Sequence, residues 1–177
     1  MAHTIERATS ARSKCRGCGE RIANGDLRLG ERLPNPFGDE GQEMTHWFHL
    51  ACAAYRRPQP FLDALATTEE PIEDRETLER EATAGVQFHR LPRCNSAERA
   101  ATGRAACRQC KEPIAKDSWR ISLLYYEDGR FSPSGYVHPK CAAAFFETAD
   151  IMPRVRRFSP ALGEEDLAEI QKEIVAL

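Results

Sequence analysis

At 177 residues, with 29% charged and only 8% aromatic side chains, the chain holds one or two small domains with modest aliphatic cores. No run of about eighteen apolar residues occurs, which excludes a membrane-spanning helix, and Met1-Ala-His-Thr-Ile-Glu-Arg7 lacks the apolar stretch of a secretion signal. The net charge of −2 is unevenly spread, with +2 over residues 1–60, −6 over 61–84, +6 over 85–160 and −4 over 161–177, so any attraction to a polyanion has to come from local patches.

In chain order, residues 1–11 read as a polar lead-in. Cys15-Arg-Gly-Cys18 opens a first module over 12–66. Asn24-Gly25-Asp26 signals a turn, and Leu27-Arg28-Leu29 alternates as a short strand does. Pro34 to Gly41 is a turn-rich loop with Phe37 at its centre. Met44 to Phe48 reads as a second strand, running into His49-Leu-Ala-Cys52. Residues 50–56 favour a short helix, stopped by Pro58 and Pro60. An acidic helix with a thin apolar stripe is expected over 69–84, and with the following residues it forms a helix-and-linker segment over 67–103.

A second module over 104–162 repeats the plan with Cys107-Arg-Gln-Cys110 and His138-Pro-Lys-Cys141. Trp119 to Tyr126 is the clearest strand, Glu127 to Arg130 turns it, and Tyr136-Val137 leads back to His138. Residues 142–146 continue a helix that carries the last cysteine. Residues 163–177 form a C-terminal amphipathic helix, with Leu167, Ile170, Ile174 and Leu177 at helical spacing.

Six of the seven cysteines therefore fall into two copies of C-x2-C…H-x2-C. Such pairs suit one tetrahedral zinc each: Cys15, Cys18, His49 and Cys52 in the first module, Cys107, Cys110, His138 and Cys141 in the second. Four protein ligands leave no open position, so two structural Zn2+ ions are expected and hydrolytic chemistry is not. Ordinary buried thiols are the plainer alternative, and the duplicated spacing argues against it. Cys94 stands outside both sets. The repeat extends beyond the ligands, because Arg12, Glu20, Ile22, Ala23 and Arg28 recur 92 residues later as Arg104, Glu112, Ile114, Ala115 and Arg120. Phe61 to Leu65 also parallels Phe158 to Leu162 at an offset of 97, each followed by an acidic helix.

Thr102-Gly-Arg-Ala-Ala-Cys107, Ile114-Ala-Lys-Asp-Ser-Trp-Arg-Ile121 and Trp47-Phe-His49, with the ligand order, resemble the PARP-type zinc finger. That finger occurs in DNA-damage-sensing poly(ADP-ribose) polymerases and some DNA ligases. The resemblance implies an α+β, zinc-stapled fold of two tandem modules, each a short antiparallel sheet plus helices around one Cys3His site. The family's catalytic domain has no counterpart in these residues, so no enzymatic activity is expected. By resemblance, Arg12, Arg28, Arg104 and Arg120 grip DNA phosphates, with Lys14, Arg16 and Arg108 widening the patch. Guanidinium forks suit that role, although exposed arginines on a charged surface are the plainer reading. Phe37, Met44, Phe131 and Pro133 correspond to apolar positions that stack on base pairs exposed at a nick or end; folding back onto the module is the plainer reading. The implied partners are DNA with single- or double-strand breaks and a DNA-repair enzyme, with no membrane. The implied setting is intracellular: cytoplasm or nucleoid in a bacterium, nucleus in a eukaryote. A zinc-stapled protein–protein adaptor without direct DNA binding remains the alternative.

Overall fold

The computed structural model describes residues 2–175, which fall into two compact units divided between Gln87 and Phe88. Among the described residues no helix is long and apolar enough to cross a membrane.

In the first unit, strands β1 (Thr4–Arg7), β2 (Leu27–Pro34) and β3 (Glu43–His49) form an antiparallel sheet in that order. The polar lead-in expected over 1–11 therefore contains a strand. Thr4 pairs with Gly30 and Arg7 with Leu27, and Ile5 turns into the core. One inward-facing apolar residue is too weak a signal to mark a strand against polar neighbours, but a neighbouring strand edge supplies the hydrogen bonds that settle it. Helix α1 (Leu50–Arg56) follows β3 directly.

Pro58 and Pro60 end α1 as expected, but they also open α2 (Pro58–Leu65). A proline in the first helical turn is tolerated because the amide it lacks has no intrahelical acceptor there. The acidic helix is α3 (Arg75–Gln87), starting later than the expected 69 and ending later than 84. Leu78, Ala82 and Gly85 are buried on it at helical spacing, and it packs against α1 and α2. Residues 75–87 thus pack into the first unit, beyond the 12–66 expected for that module. Ile22, Leu29, Phe48, Phe61 and Leu65 complete that core.

The second unit repeats the sheet with β4 (Cys94–Arg99), β5 (Trp119–Glu127) and β6 (Arg130–Val137). Again the first strand lies in a stretch expected to be linker. Helices α4 (Pro139–Phe146), α5 (Met152–Phe158) and α6 (Glu164–Glu173) follow. Ile121, Leu123, Val137, Phe146, Ile151, Val155 and Ile170 fill the core. The Phe61/Phe158 parallel is not matched by the elements: Phe61 is buried inside α2, whereas Phe158 ends α5 and is only half-buried. The C-terminal helix stops at Glu173, so Ile174 lies beyond its last turn, and Leu177 is outside the described residues.

Candidate metal centres

Each ligand set is assembled by the junction of a strand and a helix facing a two-cysteine knuckle. In the first unit His49 ends β3 and Cys52 lies one turn into α1, opposite the Cys15–Cys18 turn. In the second, His138 caps α4 and Cys141 lies in its first turn. The four donor atoms of each set lie within 4.8 Å of one another. Cys18 Sγ is 3.4 Å from His49 Nδ1, and Cys110 Sγ and Cys141 Sγ are 3.4 and 3.8 Å from His138 Nδ1. A tetrahedral zinc with Zn–S of about 2.3 Å and Zn–N of about 2.0 Å separates S and N donors by roughly 3.5 Å. The geometry and the donor chemistry fit two structural zinc ions.

The histidine orientation supports the same assignment. His49 Nε2 lies 3.2 Å from the carbonyl of Arg21, and His138 Nε2 lies 3.2 Å from that of Pro113. Nε2–H donates to the carbonyl, which leaves the Nδ1 lone pair aimed at the three sulfurs. Backbone amides stabilise thiolate charge: Gly17 and His49 donate to Cys15 Sγ at 3.3 Å, and His138 donates to Cys107 Sγ at 3.4 Å. The Cys52 thiol, together with these amides, lowers Cys15 to about 4 against the effect of burial. At Cys107 burial opposes the change, but amide donors still bring it down to about 7. Burial and then the neighbouring Cys110 and Cys107 push Cys141 up to about 12, and burial raises Cys18. Sulfurs crowded in this way are held together by a central dication, which favours the thiolate at every corner.

The two strand arginines behave alike. Arg28 donates to Glu6 Oε1 and Ser13 Oγ, both at 2.8 Å, and its guanidinium stacks 3.6 Å from the Trp47 ring centre. Arg120 donates to Glu98 Oε1 at 2.9 and 2.6 Å and stacks 3.7 Å from the Tyr136 ring centre. Their side chains are 8% and 11% exposed. Both are therefore held in internal glutamate–arginine–aromatic triads, and neither is an open surface cation. The glutamates went unremarked in the sequence, although Glu6 and Glu98 share the arginines' offset of 92 and each aromatic stands two residues before its histidine.

Arg12, Lys14, Arg16, Arg104 and Arg108 are exposed around the two knuckles. Phe37 projects from the β2–β3 turn, 86% exposed, where Asn35 N donates to Gln42 O and Phe37 N to the Asn35 side chain. Phe131 is different. It lies within β6, half-buried, its ring centre 4.8 Å from that of Tyr126. The β5–β6 hairpin is closed by Asp128 and Gly129, both at positive φ, so the shorter second module has a tight turn where the first has a loop. Met44 is half-buried in β3, and Pro133 is exposed on β6. The structure thus leaves Phe37 and Pro133 open and packs Phe131 away.

Residues 6–89 match the family model of the poly(ADP-ribose) polymerase and DNA-ligase Zn-finger region. The first compact unit is similar to a PARP-type zinc finger over nearly all of its length. The match begins within β1 and ends just past α3, and the first compact unit ends at Gln87. The chain is 27% identical to poly [ADP-ribose] polymerase 1 of Xenopus laevis and 26% identical to poly [ADP-ribose] polymerase of Sarcophaga peregrina, each over 96% of this chain and 19% of the relative. It is 23% identical to polynucleotide 3'-phosphatase ZDP of Arabidopsis thaliana over 97% of this chain and 28% of that protein. The chain therefore spans about a fifth of the polymerases it matches.

Proposed function

We propose that this chain binds DNA at strand breaks, recognising the structure of the break and not its sequence. The observation that carries the reading is Phe37, a large aromatic left 86% exposed at the tip of a hydrogen-bonded turn in a zinc-finger region shared with poly(ADP-ribose) polymerases. A flat ring so placed suits the base-pair face that a nick or end uncovers, and stacking is indifferent to base identity. Pro133 offers a smaller apolar surface of the same kind. Arg12, Lys14, Arg16, Arg104 and Arg108 supply phosphate contacts, which orient the duplex without reading it. Arg28 and Arg120 are charge-paired with Glu6 and Glu98 and reach a phosphate oxygen only in competition with them. The zinc ions hold the knuckles and turns in place, because each unit's core is too small to do so alone.

Band-shift titration of nicked, blunt-ended and intact duplex tests this. Tighter binding of the nicked duplex at moderate salt is expected. Equal affinity for all three removes break sensing, and no binding by the zinc-loaded protein favours a protein-docking role.

A further inference from the structure

Four cations of the second unit converge without a carboxylate among them. Arg90 and Arg93 come from the turn leading into β4, and Arg108 and Lys111 come from the zinc knuckle. With Ser134 of β6 and Phe145 of α4 they line a cavity of about 480 Å³. Elsewhere in this unit several arginines pair with acids: Arg99 with Glu169, Arg120 with Glu98 and Arg156 with Glu164. Here every contact is neutral. Arg90 donates to the Phe145 carbonyl at 3.4 Å and Arg93 to the Ser134 hydroxyl at 3.2 Å. Arg108 donates to the Ser134 carbonyl at 3.1 Å, and Lys111 to the Arg108 carbonyl at 2.6 Å. Arg93 Nε is buried with no acceptor. Burial, then the charges of Arg90 and Arg108, hold the Arg93 guanidinium below its ordinary range. Crowded like charges and an orphaned buried donor are both unfavourable, and one incoming anion relieves both.

Gly135 shows that the chain makes room for this arrangement. Its φ is +103°, and a Cβ there would stand 2.5 Å from Arg108 Nε, so only glycine lets Arg108 lie across β6 into the cavity.

We propose that this cavity is a pocket for a terminal phosphate, a monoester carrying two negative charges. A phosphodiester offers one charge and two free oxygens, whereas four converging cations match a group with two charges and three oxygens. Ser134 supplies a neutral hydroxyl, and Phe145 an apolar wall over which Arg90 and Arg93 stack, 5.1 and 5.4 Å from its ring centre. Two sources share this chemistry: the end phosphate of a broken strand, and a free nucleotide. The first rests on the break-binding reading above. Ser134 follows Pro133 directly, so their Cα atoms are about 3.8 Å apart and the pocket adjoins the exposed Pro133 surface proposed above for base-pair contact.

The test uses the full zinc-loaded chain in two arms. In the first, inorganic phosphate is titrated against the protein by 15N NMR at pH 7.5. Saturable shifts at Ser134 and the Arg93 side chain are expected, and Arg93→Gln should weaken binding about tenfold or more, as loss of a charged hydrogen bond implies. Gly135→Ala should do the same by displacing Arg108, and zinc content of both variants checks that the fold is kept. In the second arm, nicked duplexes with a 5'-phosphate or a 5'-hydroxyl are compared by fluorescence anisotropy. A several-fold preference for the phosphate that disappears in Arg93→Gln assigns the pocket to the broken strand. Variant-sensitive phosphate binding without that preference assigns it to a free nucleotide. Phosphate binding that is absent, or unchanged in both variants, overturns the pocket. Failure to bind either nicked duplex defeats the break-binding reading and leaves the first arm to decide.

Discussion

Truncating Phe37 to alanine separates recognition from stability. The ring is 86% exposed in the free protein, so its removal takes away almost no packing and the melting temperature should stay within the range of a neutral surface change, about ±0.5 kcal/mol. Stacked on a base pair, the ring loses most of its contact with water, and burial of a phenylalanine side chain contributes about 1.5–3 kcal/mol. Ordering the side chain on binding offsets about 0.5–1.5 kcal/mol of that. The net loss is about 1–2 kcal/mol, or roughly a 5- to 30-fold weaker affinity for nicked duplex. Intact duplex exposes no base-pair face, so its affinity should hardly change. Fluorescence anisotropy on nicked and intact duplexes, beside a thermal melt, measures both quantities. An equal loss on both duplexes would refute the stacking argument, as would a lowered melting temperature with unchanged nick affinity. Phe131→Ala should show the opposite pattern, because that ring packs on Tyr126.

Leu78 is 8% exposed on α3, so Leu78→Ala should destabilise the first unit by about 2–5 kcal/mol in denaturant titration. A fragment ending at residue 66 should lose stability for the same reason, and an unaffected melt would show α3 to be dispensable. Stripping the metal with a chelator should collapse near-ultraviolet dichroism and abolish DNA binding together, and a folded, metal-free protein would exclude a structural role for zinc. Glu169 accepts from the Trp119 indole and from Arg99, with the indole bond the main cause of its lowered pKa. Its contribution to holding α6 is therefore present above the ordinary carboxylate value of 4.5 and is lost as pH falls through the lowered one. Trp119 fluorescence should shift over that acidic window, and Glu169→Gln should remove the transition.

The metal centres were legible in the residues alone. Two thiols three positions apart, and a histidine three before a cysteine, are local arrangements, and chain geometry over one turn brings each pair to a common point whatever surrounds it. The tandem repeat, the strand entering His49 and the Trp119–Tyr126 strand were equally plain, since hydrophobic alternation acts within single elements. Non-local placement was not. Thr4–Arg7 and Cys94–Arg99 become strands only because β2 and β5 offer them an edge, and Arg75–Gln87 joins a core only because α1 and α2 cover its narrow apolar stripe. The same limit decided the side chains: Arg28 and Arg120 looked like free cations until Glu6, Glu98 and the facing aromatics came beside them. Phe37 and Phe131 looked alike until loop length set one at a tip and the other in a ladder. Arg90, Arg93, Arg108 and Lys111 are scattered over a turn and a knuckle, and only the fold makes one charge of them. Ligand chemistry is written into short spacing; burial, pairing and charge convergence depend on which distant segments the sheets and helices bring together.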